Sequence, residues 1–144
     1  MDRAVQLCLR TNQFNLNGIR KTFEEISGYL SEQNGVHWII HVKDRFGDYG
    51  IVGLVLGNQS ASNLIIDTFV LSCRVLGRNV EEYILSELNT FCVNNGLKSL
   101  LCQFEATAKN MPFKEFLNKT GWEYDNETRA YKLPVHHAEQ VNAD

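Results

Sequence analysis

The chain has 144 residues, 44% apolar and 22% charged, which is core material for one globular domain and excludes a multi-domain enzyme. Ten glycines, two prolines and no long polar or repetitive stretch exclude collagen-like, mucin-like and largely disordered chains. Fourteen Lys plus Arg against 17 Asp plus Glu give a net charge of −3 with no block of either sign, which argues against nonspecific nucleic-acid binding.

In chain order, residues 3–16 place Val5, Leu7, Leu9, Phe14 and Leu16 at a spacing that fits strand or helix, and helix is preferred. Phe23, Ile26, Tyr29 and Leu30 predict a second helix that stops at Asn34-Gly35. Val36–Lys43 and Ile51–Leu56 are rich in β-formers and flank the turn-rich Asp44–Gly50, so they predict a hairpin. Asn58–Asn63 is the next turn and Leu64–Leu71 a third strand. Ser72–Gly77 then leads into a helix with the packing stripe Val80, Tyr83, Ile84, Leu88 and Phe91, ended by Asn95-Gly96.

Leu97–Phe104 predicts a fourth strand, and a short helix begins near Pro112, carries Phe113, Phe116 and Leu117, and stops at Gly121. Trp122–Tyr124 and Arg129–Leu133 form a last β pair around Asp125-Asn126-Glu127, with Trp38 and Trp122 in the core or on a sheet face. The order α-α-β-β-β-α-β-α-β-β implies an α/β (α+β) fold, a mixed sheet covered by helices, in one domain over residues 1–134. Residues 135–144 read as a flexible tail.

Apolar runs such as Ile51–Leu56 fall far short of the roughly 20 residues that span a bilayer, and Met1-Asp2-Arg3-Ala4 lacks an apolar signal core. No membrane association and a cytoplasmic location are therefore expected. Cys8, Cys73, Cys92 and Cys102 show no metal-ligand spacing, nor do His37, His41, His136 and His137. The expectation is reduced, mostly buried thiols and no metal.

The most informative local feature is Arg74-Val75-Leu76-Gly77-Arg78-Asn79, between a predicted strand and a predicted helix N-terminus. Unpaired first-turn N–H groups and the positive end of the helix dipole can hold a pyrophosphate there, Gly77 would allow close approach, and Arg74 and Arg78 add charge. A tight turn with solvated arginines is the plainer alternative. Asp67 stands in an otherwise apolar strand, where a carboxylate is costly unless paired or facing a cleft, so it is a candidate general base. Cys73, beside the turn, is a candidate acyl-accepting thiol, and Glu105 at a strand end a candidate on the acceptor side. Each also has a structural explanation: a paired carboxylate, a packed thiol and a solvated strand end. The hairpin run Asp44–Gly50 is denser in polar groups than a turn needs, so Arg45 or Tyr49 is a candidate ligand contact.

Arg74 and Gly77, the element order, Asn110 and the pair Gly121-Trp122 together resemble the GNAT superfamily of acyl-CoA-dependent N-acyltransferases. That resemblance implies a GNAT-like, mostly antiparallel sheet and a coenzyme A or acetyl-CoA pyrophosphate held by Arg74 to Asn79, including Val75 and Leu76. It implies a pantetheine arm beside Asn110, admitted by the strand splay usual in the fold. A strand N–H near Val70, between Phe69 and Leu71, would hold the thioester oxygen. Asn79 replaces the family's small Gly or Ala, and Leu117 stands where a Tyr commonly protonates the departing thiolate.

Three longer strings are similar to the C-terminal GNAT-like half of FkbH-type proteins: Arg10-Thr11-Asn12-Gln13-Phe14-Asn15-Leu16, Asp44-Arg45-Phe46-Gly47-Asp48-Tyr49-Gly50, and Asp67-Thr68-Phe69-Val70-Leu71-Ser72-Cys73-Arg74-Val75-Leu76-Gly77-Arg78. That similarity implies polyketide-type biosynthesis, with an acyl carrier protein and a HAD-like domain as partners and a carrier-borne phosphopantetheine as the alternative donor. The Asp-x-Asp motif of the HAD-like half is absent from the 144 residues, so any phosphoester chemistry belongs elsewhere. A noncatalytic domain that docks the carrier protein is the competing expectation.

Overall fold

The computed structural model describes residues 35–72, 75–107 and 109–136; both predicted N-terminal helices lie outside them. The described elements run β1 (Gly35–Asp44), β2 (Gly47–Ser60), β3 (Asn63–Leu71), α1 (Val80–Asn94), β4 (Ser99–Cys102), α2 (Met111–Lys119), β5 (Glu123–Asp125) and β6 (Ala130–Pro134). The six strands form one sheet in the order β1-β2-β3-β4-β6-β5, and only the β3–β4 pair is parallel. This is the mixed α/β sheet that the element order implies, and it is mostly antiparallel as the family resemblance implies.

The predicted seven-residue turn contracts because Asp44 caps it: its Oδ1 accepts the N–H groups of Phe46 and Gly47, at 2.8 and 3.1 Å. β2 therefore starts at Gly47 and runs 14 residues. β4 is shorter than the apolar run suggests, four residues, because the chain leaves the sheet after Cys102.

Register sets which side chains reach the helices. Leu56 pairs with Thr68 and Gly57 with Ile66, so Asp67 is skipped as the extra residue of a β-bulge. The skip moves the side-chain alternation by one. Leu64 and Ile66 before it, and Phe69 and Leu71 after it, all join one core with Val52, Val55, Leu100 and Cys102 of the sheet. Ile84, Leu88 and Cys92 of α1, and Phe113, Phe116 and Leu117 of α2, complete that core. Leu54, Leu56 and Val70, out of phase with it, are buried as well. Trp122 is buried and Trp38 packs against the core.

The α1 stripe differs from the sequence pattern at one position. Tyr83 is 65% exposed, and the buried ridge is Glu81, Ile84, Leu88 and Cys92, the three- and four-residue spacing of a single helix face. Two residues assigned to the tail by sequence are tied in. Val135 N–H donates to Lys98 O at 2.9 Å, and His136 N–H to Asn89 Oδ1 at 2.8 Å. No described helix is long and apolar enough to cross a membrane.

Leu88→Ala should lose about 2–5 kcal/mol in urea unfolding of the full chain, through lost burial and a residual cavity. Tyr83→Ala, on the solvent side of the same helix, should stay within about 0.5 kcal/mol of the unsubstituted chain.

Candidate functional site

The parallel β3–β4 ladder covers only Asn63 to Ile66, opposite Ser99 to Cys102. β3 continues from the Asp67 bulge to Leu71 while pairing with β2, and β4 has ended, so the two strands part at this point. Bulges bend and twist the strand that carries them, which gives the parting a local cause. The bulge carboxylate is half-buried, and its Oδ2 accepts the Thr68 hydroxyl at 3.0 Å.

Aromatic rings fill much of the wedge between the parting strands and α2. Phe69 meets Phe113 and Phe116 edge-on at 5.5 and 6.0 Å, and Phe104 stacks on Phe113 at 6.0 Å. The void bounded by Ile66, Phe69, Leu88 and these rings is only about 10 Å³. Leu117, 1% exposed, belongs to this packed floor and offers no proton.

Beyond β3 the chain turns into α1. Val75 N–H donates to Ser72 O at 3.1 Å, then Gly77 and Asn79 adopt the left-handed conformation, with φ of 79° and 65°. The conformation explains both residues: Gly is free of Cβ strain there, and Asn is among the side chains that tolerate it best. Nothing lies within 4 Å of a Cβ built at Gly77, so the chain's own packing does not demand glycine. The Asn79 side chain makes no cap hydrogen bond, and the 15-residue α1 begins without one.

An anion already sits against this turn. Gly77 N–H donates to Oε2 of Glu81, four residues on in the first turn of α1, at 3.3 Å. Glu81 is buried, and among the described residues its Oε1 has no hydrogen-bond partner. Glu82 Oε1 instead pairs with Lys119 Nζ of α2 at 3.2 Å. Between the two helices runs a groove of about 190 Å³ lined by Leu76, Glu81, Glu82, Pro112, Glu115, Phe116 and Lys119.

Arg78 points away from the turn. Its Nη1 donates to Tyr49 Oη at 2.7 Å and lies 3.4 Å from Asp44 Oδ2, and its guanidinium covers the Tyr49 ring at 4.9 Å. A second bulge explains the reach of Tyr49: Val42 pairs with Gly50 and Lys43 with Asp48, so Tyr49 is skipped. In the same hairpin His41 Nε2 lies 2.6 Å from Asp48 Oδ1, and that hydrogen bond, with one from Gly50 N–H, holds the exposed Asp48 carboxyl below its ordinary range.

Asn110 is fully buried and held within its own loop: its Oδ1 accepts Thr107 N–H at 2.7 Å and its Nδ2 donates to Glu105 O at 2.9 Å. It shapes the connection between β4 and α2. The Glu105 side chain is exposed. Phe69 and Leu71 point into the helix-side core, with Val70 out of phase. Val75 is buried in that core, and Leu76 lines the groove. Cys73 and Arg74 lie outside the described residues, as do Cys8 and the Asn12–Asn15 cluster. Cys92 and Cys102 are buried free thiols; burial pushes Cys92 up to about 11 and Cys102 higher still, so neither is a ready nucleophile. Among the described residues no three His, Cys, Asp or Glu side chains gather as a metal site.

Sequence reasoning missed the acidic groove and the Arg78–Tyr49 contact. For the first the signal was present, two glutamates in the first turn of α1, where the dipole favours them. The second joins residues 29 apart, and no local pattern announces it.

No protein-family model and no curated protein matches the sequence. Solved structures do match. The ribosomal-protein-S18-alanine N-acetyltransferase from Escherichia coli superposes with a TM-score of 0.66 at 8% identity, over 92% of this chain and 86% of that one. The fold is that of the GNAT acetyltransferases. A GNAT-family acetyltransferase from Elizabethkingia anophelis with acetyl-CoA bound gives a TM-score of 0.54 at 14% identity, over 73% of this chain and 63% of that one. A GNAT-family protein from Desulfovibrio desulfuricans gives 0.53 at 13%, over 61% and 64%. The matched part thus spans less than two thirds of the last two chains.

The turn makes a stability prediction. Gly77→Ala should cost about 1–2 kcal/mol from the left-handed backbone alone, whereas Asn79→Gly should change stability by no more than about 0.5 kcal/mol. Urea titration of the two variants beside the parent chain checks both.

Proposed function

We propose that this chain is a thioester-binding domain that takes acetyl-CoA, or the phosphopantetheine of an acyl carrier protein, and transfers the acyl group to an amine or thiol. The observation that carries the reading is the turn from Leu76 to Asn79: two left-handed residues precede an uncapped helix of 15 residues, and a backbone N–H there already donates to a carboxylate. The place of the turn supports it too, since it follows the strand whose parallel partner has just ended. The Elizabethkingia structure of the same fold holds acetyl-CoA.

On this reading the donor phosphates lie on the N–H groups of the turn, with Arg74 beside them. The arm follows the groove past Leu76 and Phe116, between α1 and α2. The thioester carbonyl meets the β3 backbone near Val70, where strand N–H donors stabilise the oxygen of the tetrahedral intermediate. Asp67 accepts the proton of the attacking amine or thiol. Cys73 and Glu105 are alternatives on the acceptor side. With Leu117 in the core, the departing thiolate takes its proton from water or from the acceptor, so turnover is slow relative to an enzyme with a placed acid.

The three strings that resemble FkbH-type proteins support a carrier-borne donor, polyketide-type biosynthesis and a HAD-like partner. A noncatalytic docking domain for the carrier is the second reading, favoured by Leu117 in the core. Asp67→Ala separates the two: loss of turnover with unchanged donor binding marks catalysis, and unchanged turnover of a partner enzyme marks docking.

Titration calorimetry with acetyl-CoA tests the common part. A saturable heat is expected, with affinity falling about tenfold in Arg74→Ala, as for loss of one charge-assisted phosphate contact. No heat at millimolar acetyl-CoA, in the chain or in its Glu81→Gln variant, would overturn the reading.

A further inference from the structure

We infer that Glu81 is a built-in occupant of the anion-binding turn, a carboxylate that an incoming phosphate group must displace. The inference rests on the thioester-donor reading and adds a control on the affinity of that site. Its basis is geometric. Glu81 Oε2 accepts Gly77 N–H at 3.3 Å, so the side chain reaches back one turn and takes a donor that a bound phosphate would use.

The carboxylate is held there by position more than by partners. It stands in the first turn of α1, where the helix dipole favours negative charge, yet the residue is only 9% exposed and its Oε1 has no hydrogen-bond partner among the described residues. A buried carboxylate oxygen without a donor is costly, so the occupant fits its own site incompletely. A phosphate group, with more acceptor oxygens and more charge, can satisfy the same N–H groups better.

The surroundings make the occupant effective as a competitor. Arg78, the cation nearest in sequence, is committed to Tyr49 and Asp44 of the hairpin. Glu82 is bound to Lys119 across the groove, which takes up the local ammonium, and Glu115 lines the same groove. Glu81 thus adds its charge where a donor phosphate would enter, and that charge repels the ligand until the side chain moves.

Inorganic pyrophosphate reports on the turn alone and coenzyme A on the whole donor site, both titrated into the full chain at moderate salt. Glu81→Gln and Glu81→Ala should each tighten pyrophosphate binding tenfold or more. Glu87→Gln, which makes the same change in net charge farther along α1, should leave it within twofold. Unchanged or weaker pyrophosphate binding in both folded Glu81 variants overturns the inference. So does an equal gain in Glu87→Gln, which would assign the effect to net charge. Coenzyme A separates this from the donor reading. Pyrophosphate gains without any coenzyme A binding would sustain the occupant and sink the donor reading, whereas coenzyme A binding that ignores position 81 would do the reverse.

Discussion

The skip at Asp67 in the β2–β3 register is the constraint on which the described fold depends. Without it, Phe69 and Leu71 would point to the opposite face from Leu64 and Ile66, and the helix-side core would lose its lower half. With it, four large apolar side chains of one strand serve the same core on either side of a bend. The bend also falls where the parallel ladder to β4 ends. One extra residue therefore fixes both which side chains α1 and α2 pack on and where the sheet opens.

Opening a sheet exposes backbone and apolar surface, and the aromatic side chains are placed where that happens. Phe69 comes from the strand that bends away, Phe104 from the chain that has just left the sheet, and Phe113 and Phe116 from the helix above. Their edge-on and stacked contacts close the wedge from three elements at once. The polar side of the site is pushed to the rim, onto the turn before α1 and the groove between the helices. The two arginine and glutamate neighbours of that turn are then divided: Arg78 is drawn to the hairpin, and Glu81 is drawn in.

Much of this was legible in the amino-acid order. Glycine and asparagine punctuation located the hairpin and the end of α1, and the β-branched runs located the long strands. The turn before α1 was recognisable from Gly77 between two arginines after a strand. What could not be seen are the features that depend on pairing between distant segments. Apolar residues dominate Leu64–Leu71 almost continuously, so no alternation marks Asp67 as a skipped residue. Tyr83 matched a helical stripe by hydrophobicity, yet it is exposed and Glu81 is buried in its place on the helix face. Asn110, legible as a motif residue, proves to spend its amide on its own loop.

The chain after β6 is fastened to α1 by a reciprocal amide pair: Asn89 Nδ2 donates to His136 O at 2.6 Å, and His136 N–H donates to Asn89 Oδ1 at 2.8 Å. A side-chain amide here stands in for one residue of a strand ladder. The pair uses no ionisable atom, so its strength is set by geometry and not by pH or ionic strength. It spans 47 residues and closes β4, α2, β5 and β6 into one hydrogen-bonded loop. Closing such a loop costs chain entropy, so the latch holds the last four elements against α1 only because the rest of the core keeps its two ends together.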